Sequence, residues 1–474
     1  MVNLKNIENI CCLGAGYVGG PTMAVIADKC SDIKVSVVDI CKKRIDSWNH
    51  ENLDNLPVYE PGLKEIILKT RNINLFFTTD IERSISQADM IFVAVNTPTK
   101  LDGFGAGYAT DLRYLESSIR KVAKYSKNHT IVIEKSTVPV KTANIIKNLL
   151  NEIGNETNTR NAKTFSVLSS PEFLAEGTAI NDLKDPDRIL IGGEDDEAIE
   201  SLKNIYKRWI PEDKILVTNL WSSELSKLVS NAFLAQRISS INSISALCEK
   251  TGAKIDQVSK SIGLDNRVGS KFLKAGPAFG GSCFQKDILS LVYLCKYYGL
   301  IDVAEYWEKV IYINNWQRNR ISNLIVETLF NTVSAKKIAI LGFSYKANTN
   351  DTRESAAISI AKDLLGNGAI LSIHDPQVSS KQIRSELGID NSLNFNENSE
   401  GEWKYFEDLY LSLENVDAIV ILTEWEIYRQ LDWERISKLM RKPAWVFDTR
   451  SIVKKRDIEQ AGLNLWEVGK GYSV

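Results

Sequence analysis

The N-terminal part of the chain alternates short apolar runs with longer segments of helical periodicity. Residues 8–13 and 33–39 form the first two runs, and the apolar-rich residues 21–30 between them are typical of a helix. Alternation of this kind predicts parallel strands that are covered by helices on both faces. Further strands are predicted at residues 74–78, 90–95, 130–134 and 165–169.

The pattern changes near Ser222, where helical periodicity takes over and continues to about Phe330. Strand-like runs then return at residues 336–341, 370–375, 418–422 and 445–448. We therefore predict an α/β chain in which two Rossmann-like, doubly wound domains are joined by a central all-helical domain with a long helix. The predicted domains are residues 1–220, 221–335 and 336–474.

Composition and charge narrow the class of protein. Of the 474 residues, 44% are hydrophobic and 25% are charged, and the formal net charge of −2 gives no electrostatic reason to expect nucleic acid or a membrane as a partner. The polar N-terminus and the lack of any bilayer-length apolar run predict a cytoplasmic protein. The seven cysteines are odd in number and lack metal-ligand spacing, so we expect neither a disulfide framework nor a metal site.

A glycine-rich loop follows the first predicted strand. Gly14, Gly16 and Gly19 stand in GAGYVGG, where glycine permits a tight turn, close approach to a pyrophosphate and close helix–strand packing. Asp39 ends the second strand, where a carboxylate would bind ribose hydroxyls and disfavour a 2′-phosphate, although Arg44 follows closely. The loop predicts NAD binding, with a glycine turn that holds no ligand as the alternative.

A second glycine-rich segment, GPAFGGSCFQKD, spans residues 276–287 and contains Cys283. The residues after it have helical spacing, so the thiol lies near a helix N-terminus, where the dipole and Lys286 would stabilise a thiolate. A catalytic nucleophile and a buried structural cysteine both fit this position, since most free cysteines are structural. Cys11 and Cys12 lie in an apolar strand and fit the structural alternative.

Polar residues recur on one face of the predicted long helix. Glu224, Lys227 and Asn231 are spaced by three and four positions, whereas much of the apolar surface is marked by Leu225, Leu228, Ala232 and Leu234. A solvent-exposed face and a face that projects into a cleft both fit this spacing.

Other polar candidates follow the predicted strands, at the carboxyl ends where α/β sheets bind ligands. They are Thr97, Pro98, Ser136, Thr137, Pro171, Glu172 and Glu176. The three histidines, His50, His129 and His374, lie outside these loops, so a lysine, an acid or water must move the protons of any dehydrogenase reaction.

Several long and specific strings carry a family resemblance that extends from about residue 8 to residue 470. They are GAGYVGGPT, YEPGLKE, VNTPTK, EKSTVPV, PEFLAEGTAI, WSSELSKL, FGGSCFQKD and NDTRES. Together they closely resemble the UDP-glucose 6-dehydrogenases of the UDP-glucose/GDP-mannose dehydrogenase family, in their animal-type form.

The resemblance implies a four-electron oxidation of UDP-glucose to UDP-glucuronate with two NAD⁺, through a thiohemiacetal and a thioester on Cys283. It implies that Lys227 stabilises developing negative oxygen, that Asp287 helps to activate water and that Asn231 binds near the reacting oxygen. Thr137 and Glu172 would position water and move protons. The product would feed the synthesis of glycosaminoglycans or other glucuronate-containing polysaccharides.

The resemblance also implies which residues contact the ligands. Those for NAD would be Gly14, Ala15, Gly16, Tyr17, Val18, Gly19, Asp39, Arg44, Val95, Asn96, Thr97, Pro98, Thr99, Ser136, Thr137, Val138, Glu176, Lys286 and Arg353. Those for the UDP-sugar would be Glu172, Phe173, Leu174, Ala175, Glu176, Lys227, Asn231, Arg267, Lys274, Phe279, Gly280, Tyr345, Lys346 and Arg450. Arg267 would reach a neighbouring subunit's substrate, so we expect an allosteric homo-oligomer of dimers assembled into a hexamer.

Two alternatives stay open at this point. Dehydrogenases of other nucleotide sugars, such as UDP-N-acetylmannosamine or GDP-mannose, share the cysteine loop. A non-catalytic scaffold that binds NAD or a UDP-sugar would also keep the glycine loop, although it would have no need of Cys283.

Overall fold

The computed structural model describes residues 7–156, 163–388 and 401–471. The chain divides into two compact units. The first comprises Met1–Ser230 with Leu289–Leu300, and the second comprises Asn231–Ile288 with Ile301–Val474.

An eight-stranded sheet forms the centre of the first unit. Its strands are β1 (Asn9–Leu13), β2 (Lys34–Val38), β3 (Leu75–Thr78), β4 (Met90–Val93), β5 (Thr130–Glu134), β6 (Phe165–Ser169), β7 (Ile189–Gly192) and β8 (Ile215–Thr218). They lie in the order β3-β2-β1-β4-β5-β6-β7-β8, and every neighbouring pair is parallel except β6 and β7. The chain crosses over after β3, which is the arrangement that brings loops together at the carboxyl ends of the central strands.

Helices cover this sheet and bury its apolar side chains. They are α1 (Gly19–Lys29), α2 (Lys42–Trp48), α3 (Leu63–Thr70), α4 (Ile81–Gln87), α5 (Arg113–Tyr125), α6 (Thr142–Glu156), α7 (Ala179–Lys184) and α8 (Asp196–Tyr206). The Trp48 ring stacks on Phe77 with centroids 4.6 Å apart, and its indole N–H donates to the Ala15 carbonyl at 2.9 Å. This apolar anchor therefore also fixes the loop that follows β1.

Four helices dominate the middle of the chain, as the periodicity predicts. They are α9 (Leu220–Thr251), α10 (Ile255–Gly263), α11 (Phe284–Tyr297) and α12 (Ile301–Thr328). α9 has 32 residues and contributes to both units. In the parts of the chain that are described, no helix combines the length and apolar character needed to cross a membrane.

The second unit contains a six-stranded, fully parallel sheet. Its strands are β9 (Lys337–Leu341), β10 (Ile370–His374), β11 (Glu402–Tyr405), β12 (Ala418–Ile421), β13 (Trp445–Asp448) and β14 (Asn464–Glu467), in the order β11-β10-β9-β12-β13-β14. The accompanying helices are α13 (Ala356–Gly366), α14 (Ser380–Leu387), α15 (Glu426–Arg429), α16 (Trp433–Leu439) and α17 (Lys455–Gln460). The predicted fold class of two Rossmann-like sheets with a helical middle is thus confirmed.

Some details differ from the sequence-based expectations. α1 begins at Gly19, two residues before the predicted start, and β4 ends at Val93 rather than at residue 95. β10 ends one residue early, because the Asp375 carboxylate turns aside to bind the N–H groups of Phe343 and Ser344. The short strands β7, β8, β11 and β14 were not predicted.

We expect Gly19→Ala to destabilise the first unit, because the added methyl group would meet the Gly14 carbonyl oxygen at 1.9 Å. Overpacking of this kind costs about 1–3 kcal/mol, so the urea midpoint of unfolding should fall. Gly16→Ala is the matched control, since no atom lies within 4 Å of the methyl group that it adds. Equal losses of stability in the two variants would contradict this account of the turn.

Candidate active site

The glycine-rich loop between β1 and α1 has the geometry of a phosphate cradle. Gly14 adopts a left-handed φ of 111°, and a Cβ there would meet the Ala94 carbonyl oxygen at 2.3 Å, so only glycine fits. At Gly16 the space around an added Cβ is open to 4 Å, which lets a ligand approach the backbone. α1 begins at Gly19, so the positive end of its dipole lies at the same place. The loop therefore fits a dinucleotide pyrophosphate, and Ala15, Tyr17 and Val18 lie within it.

Asp39 lies directly after β2 and is buried beside this loop. Its carboxylate accepts the N–H groups of Ala15 at 3.0 Å and Cys41 at 2.8 Å, and it pairs with Arg44 at 2.8 Å. Burial works to raise the pKa of Asp39, but these three interactions outweigh burial and hold the pKa below its ordinary value. The first unit thus presents an ionised carboxylate where ribose hydroxyls would bind.

Residues 95–99 and 136–138 follow the adjacent strands β4 and β5 and are tied to each other. The Ser136 hydroxyl donates to the Val95 carbonyl at 2.7 Å, and the Thr97 hydroxyl donates to the Thr137 carbonyl at 2.9 Å. Thr97 is buried, whereas Thr137 is only half-buried. The structure therefore brings together two segments that the sequence predicts for cofactor binding, with Asn96, Pro98, Thr99 and Val138 among them.

Two carboxyl groups, neither predicted from sequence to form a pair, meet at the end of β5. Burial, together with the charge of Glu224, raises the pKa of Glu134 well above its usual range, and burial also raises the pKa of Glu224. Glu224 accepts the N–H groups of Lys141 and Ala143, both at 2.7 Å. Because two backbone N–H groups already stabilise the charged form of Glu224, Glu134 is the member of the pair that holds the proton. The pair anchors the start of α6.

The Glu172 carboxylate, just after β6, is held in a defined position. Its Oε1 accepts the Phe173 N–H at 2.9 Å, and its Oε2 lies 3.1 Å from the Nζ of Lys135. The Phe173 ring lies 3.9 Å from the Arg188 guanidinium and has the Lys227 Nζ 5.2 Å from its centroid. Three predicted site residues, Glu172, Phe173 and Lys227, are therefore neighbours in the first unit.

Glu60, from the string YEPGLKE, holds the chain that continues after Glu172 and Phe173. Glu60 is buried and accepts the N–H groups of Gly177 at 2.7 Å and Ala179 at 3.1 Å. Sequence reasoning did not assign Glu60 to the site, although an acid beside a Pro-Gly turn was a usable signal. The other segment residues are Leu174 and Glu176, which are half-buried, and Ala175, which is exposed.

The polar face of α9 is buried, which excludes a solvated surface. Glu224, Lys227 and Asn231 are all among the buried residues. Of the residues that the spacing assigns to the apolar surface, Leu228 and Ala232 are buried and Leu234 is half-buried, but Leu225 is exposed. Spacing alone cannot reveal this reversal, because the polar side chains are buried only where partners satisfy them.

In the second unit, Cys283 directly precedes α11 and is partly buried. Its carbonyl accepts the Asp287 N–H at 2.9 Å in the first turn, so the thiol stands at the positive end of the helix dipole. The Ser282 hydroxyl lies 3.3 Å from the sulfur. By contrast, burial raises the pKa of Cys11 to about 12 and that of Cys12 well above its usual range, as expected for structural thiols.

Three polar side chains accompany Cys283. The Asn231 amide donates to Asp287 at 2.6 Å, and the Lys286 Nζ lies 3.0 Å from the other Asp287 oxygen. Burial works to lower the pKa of Lys286, but the neighbouring Asp287 carboxylate, together with Cys283, outweighs burial and raises that pKa. A cation, a buried carboxylate and an amide are thus joined at the start of α11.

Side chains of α12 hold the loop that leads to Cys283. Asn314 accepts the Phe279 N–H at 2.8 Å and donates to its carbonyl at 3.1 Å. Arg318 donates to the same carbonyl at 2.9 Å, and Gln317 donates to the Gly276 carbonyl at 2.9 Å. All three α12 residues are buried, and sequence reasoning missed them. The available signal was the polar run NNWQRNR within an otherwise amphipathic helix.

The same loop packs against the segment that follows β9. A Cβ on Gly280 would meet Tyr345 Cβ at 2.9 Å, and the Gly281 N–H donates to the Arg353 carbonyl at 2.8 Å. Arg353 in turn pairs with Asp351 at 2.7 Å. The glycines are therefore required here by close packing as well as by the left-handed φ of 86° at Gly281.

Several residues predicted for the UDP-sugar lie near one another in the second unit. Arg450 donates to the Tyr345 carbonyl at 2.9 Å and pairs with Glu424 at 3.1 Å, while the Lys346 Nζ lies 5.6 Å from the Tyr345 ring centroid. Burial, assisted by neighbouring arginines, lowers the pKa of Lys274, although Glu424 opposes this. These cations could bind a diphosphate.

Arg267 does not join this group. Its side chain is 89% exposed and pairs with Asp265 of the same chain at 2.6 Å. These contacts therefore do not support a role for Arg267 in the site of its own chain.

The chain was compared with known proteins. Models of the UDP-glucose/GDP-mannose dehydrogenase family match at residues 8–210 (NAD binding domain), 221–316 (central domain) and 339–455 (UDP binding domain). UDP-glucose 6-dehydrogenase 3 of Oryza sativa subsp. japonica is 52% identical and UDP-glucose 6-dehydrogenase 1 of Glycine max is 53% identical, each over 97% of both chains. These relatives are plant proteins, so they do not support the animal-type expectation.

Among solved structures, a UDP-glucose dehydrogenase from the archaeon Pyrobaculum islandicum has the same fold. Its TM-score is 0.82 at 30% sequence identity, and the match covers 98% of each chain.

We expect Glu134→Gln to stabilise the protein increasingly as pH rises. The pKa of Glu134 is raised in the folded protein. Its contribution to stability is therefore complete at pH values below the ordinary pKa of glutamate, and it is lost as pH rises toward the raised pKa of the folded state. Glutamine keeps the donor to Glu224 and cannot ionise, so the gain in thermal midpoint should grow by about 3 °C or more between pH 5 and pH 8.

Glu224→Gln is the control for this prediction. It removes a carboxylate oxygen that accepts a buried N–H group, so it should destabilise at every pH, by about 1–3 kcal/mol. If Glu134→Gln raised the thermal midpoint by the same amount at every pH, this result would contradict the assignment of the proton to Glu134.

Proposed function

The chain belongs to the UDP-glucose/GDP-mannose dehydrogenase family, and on that premise we propose that it oxidises UDP-glucose to UDP-glucuronate with two NAD⁺. The observation that carries the proposal is the arrangement in the second unit, where Cys283 stands at a helix start beside Lys286, Asp287 and Asn231. A thiol in such surroundings is suited to covalent catalysis.

The first unit supplies the residues that would hold NAD. Gly14 to Gly19 would bind the pyrophosphate, and Asp39 would bind the ribose, while residues 95–99 and 136–138 would line the nicotinamide side. When bound, NAD⁺ accepts a hydride in each of the two oxidations. Glu176, Lys286 and Arg353 complete the proposed set of cofactor contacts.

Cys283 accounts for the two successive oxidations without release of an aldehyde. The first oxidation removes a hydride and a proton from the C6 alcohol. The sulfur of Cys283 then adds to the resulting carbonyl, and the new C–S bond gives a thiohemiacetal. Loss of a second hydride and a proton gives a thioester, and attack by water breaks the C–S bond to release the carboxylate and the thiol.

Polar residues of the two units have distinct proposed roles in these steps. Lys227 stabilises the negative oxygen that develops during addition and hydrolysis, and Asn231 binds near that oxygen. Asp287 assists the activation of water, and the Asn231 amide at 2.6 Å keeps its carboxylate in place. Thr137 and Glu172 position water and move protons.

The UDP-sugar contacts are proposed from both sequence and geometry. Lys274, Lys346 and Arg450 would neutralise the diphosphate, and Tyr345 would lie against the nucleotide. Phe279 and Gly280 would shape the loop, which α12 holds through Asn314 and Arg318. The segment Glu172, Phe173, Leu174, Ala175 and Glu176 would complete the substrate contacts.

The finer expectations are also proposals. We propose a cytoplasmic protein that forms dimers assembled into a hexamer, with Arg267 reaching the site of a neighbouring subunit. The strongly exposed Arg267 side chain supports this role, and so do the exposed aromatic residues Phe233 and Tyr306 on α9 and α12. The polysaccharide destination of the product and the animal-type subdivision stay predictions from the sequence.

We expect the protein to form two NADH for each UDP-glucose consumed, because the conversion of an alcohol to a carboxylate removes four electrons. Cys283→Ala should lower this overall rate by at least about a hundredfold. Cys283→Ser should still bind both ligands but stall before product release. The stoichiometry is read from NADH absorbance and from chromatography of the sugar nucleotides, with Cys41→Ser as a thiol control of undiminished activity.

Each alternative has its own outcome in this assay. If UDP-N-acetylmannosamine or GDP-mannose were turned over with a higher kcat/KM than UDP-glucose, that sugar nucleotide would replace UDP-glucose as the proposed substrate. Tight binding of NAD and UDP-glucose without any NADH would favour a scaffold. A single NADH per substrate would exclude the covalent second oxidation.

We expect Arg267→Ala and Cys283→Ala to complement each other if Arg267 serves a neighbouring subunit. Each variant alone should be nearly inactive, but a mixed dimer contains one site with an intact Cys283 and a neighbour's Arg267. After the two variants are unfolded together and refolded, or are co-expressed, activity should return to about a quarter of wild type. Absence of complementation, despite mixed oligomers by mass, would exclude the crossing role.

A further inference from the structure

Lys135 is a buried cation that the proposed chemistry does not use. It follows β5 directly, and its side chain is 1% exposed, whereas that of its partner Glu172 is 11% exposed. The Lys135 Nζ lies 3.1 Å from Glu172 Oε2 and 3.4 Å from the Tyr206 hydroxyl. Glu172 is thus the member of the pair that a ligand or water can reach, and Lys135 supports it from the interior.

The strand register explains why these two residues meet. β5 and β6 are adjacent and parallel, with Glu134 opposite Ser169. The Ser170 N–H donates to the Glu134 carbonyl at 2.9 Å, so the two chains stay in register as they leave the sheet. Lys135 itself is tied to β4 through its N–H, which donates to the Val93 carbonyl at 3.0 Å. The pair therefore stands on the rigid carboxyl edge of the sheet.

The groups around Lys135 leave Glu172 as its anionic partner. Burial raises the pKa of Tyr206 from α8 and that of Cys12 from β1, so both are neutral near pH 7. Burial works to lower the pKa of Lys135, but Glu172 and Tyr206 outweigh it, so the amine stays charged. On the outer side, Arg188 and Lys227 lie against the ring of Phe173, next to Glu172.

We infer that Lys135 is a positioning residue whose ammonium holds the Glu172 carboxylate in the orientation that proton transfer needs. The Phe173 N–H fixes one carboxylate oxygen and Lys135 fixes the other, so the group has little freedom to rotate. This inference rests on the proposed function, in which Glu172 moves protons and positions water.

The first test is the pH profile of kcat/KM for Lys135→Met with UDP-glucose and NAD⁺. A neighbouring cation favours the charged form of a carboxylate, so if Lys135 acts through Glu172, loss of the cation should move the acid limb of the profile up by about one pH unit. At pH values below the acid limb of the wild type, kcat/KM of the variant should be about tenfold lower than that of the wild type. At alkaline pH it should recover toward the wild-type value. Lys135→Arg, which keeps the charge, should leave the limb near its wild-type position.

The second test does not depend on how well Lys135→Met folds. The double variant Lys135→Met/Glu172→Gln removes both charges, so no unpaired charge is buried. If Lys135 acts through Glu172, the double variant should turn over within about twofold of Glu172→Gln alone. A double variant that is more than tenfold slower than Glu172→Gln would overturn the inference, and so would an unmoved acid limb in Lys135→Met.

The outcomes separate this inference from the proposed function. No NADH from the wild-type protein overturns the function and the role of Lys135 with it. A normal wild-type stoichiometry together with an unmoved acid limb overturns the role of Lys135 alone.

Discussion

The organisation of the first unit depends on one constraint, which is that two consecutive charged residues leave a strand where both are buried. An unpaired charge in such a place costs several kcal/mol, so Glu134 and Lys135 each need a partner. Glu134 is matched by Glu224 through a shared proton, and Lys135 is matched by Glu172. The Glu134–Glu224 pair fixes the start of α6, and the Lys135–Glu172 pair fixes the segment after β6. Residues 136–138 lie between Lys135 and α6 in the chain.

The second unit meets a similar constraint with polar side chains from one helix. The glycine-rich loop before Cys283 has few side chains that could hold it in place, and its backbone polar groups are buried. Asn314, Gln317 and Arg318 supply donors and acceptors from α12, a rigid helix. The position of Cys283 is therefore set by a helix distant in sequence, as well as by its own loop.

Much of this could be predicted from the sequence, because the signals are local. The strand–glycine–helix pattern at Gly14 and the acid at Asp39 predict the first βαβ unit, and the helical spacing after Cys283 predicts its place at a helix start. The pairings could not be predicted, since they depend on which strands are neighbours. Lys135 and Glu172 meet only because β5 lies beside β6, and Glu60 reaches its two N–H groups from a separate loop.

The buried ion pair at Lys135 is not explained by stability alone. Replacement of such a pair by well-packed apolar side chains is often neutral or stabilising, so folding does not require it. The first unit already has an extensive apolar core, in which Trp48 stacks on Phe77. What the pair provides is a carboxylate with a fixed direction and one reachable edge. Apolar replacements would keep the fold but could not supply that carboxylate, and this difference assigns the pair to the site rather than to the core.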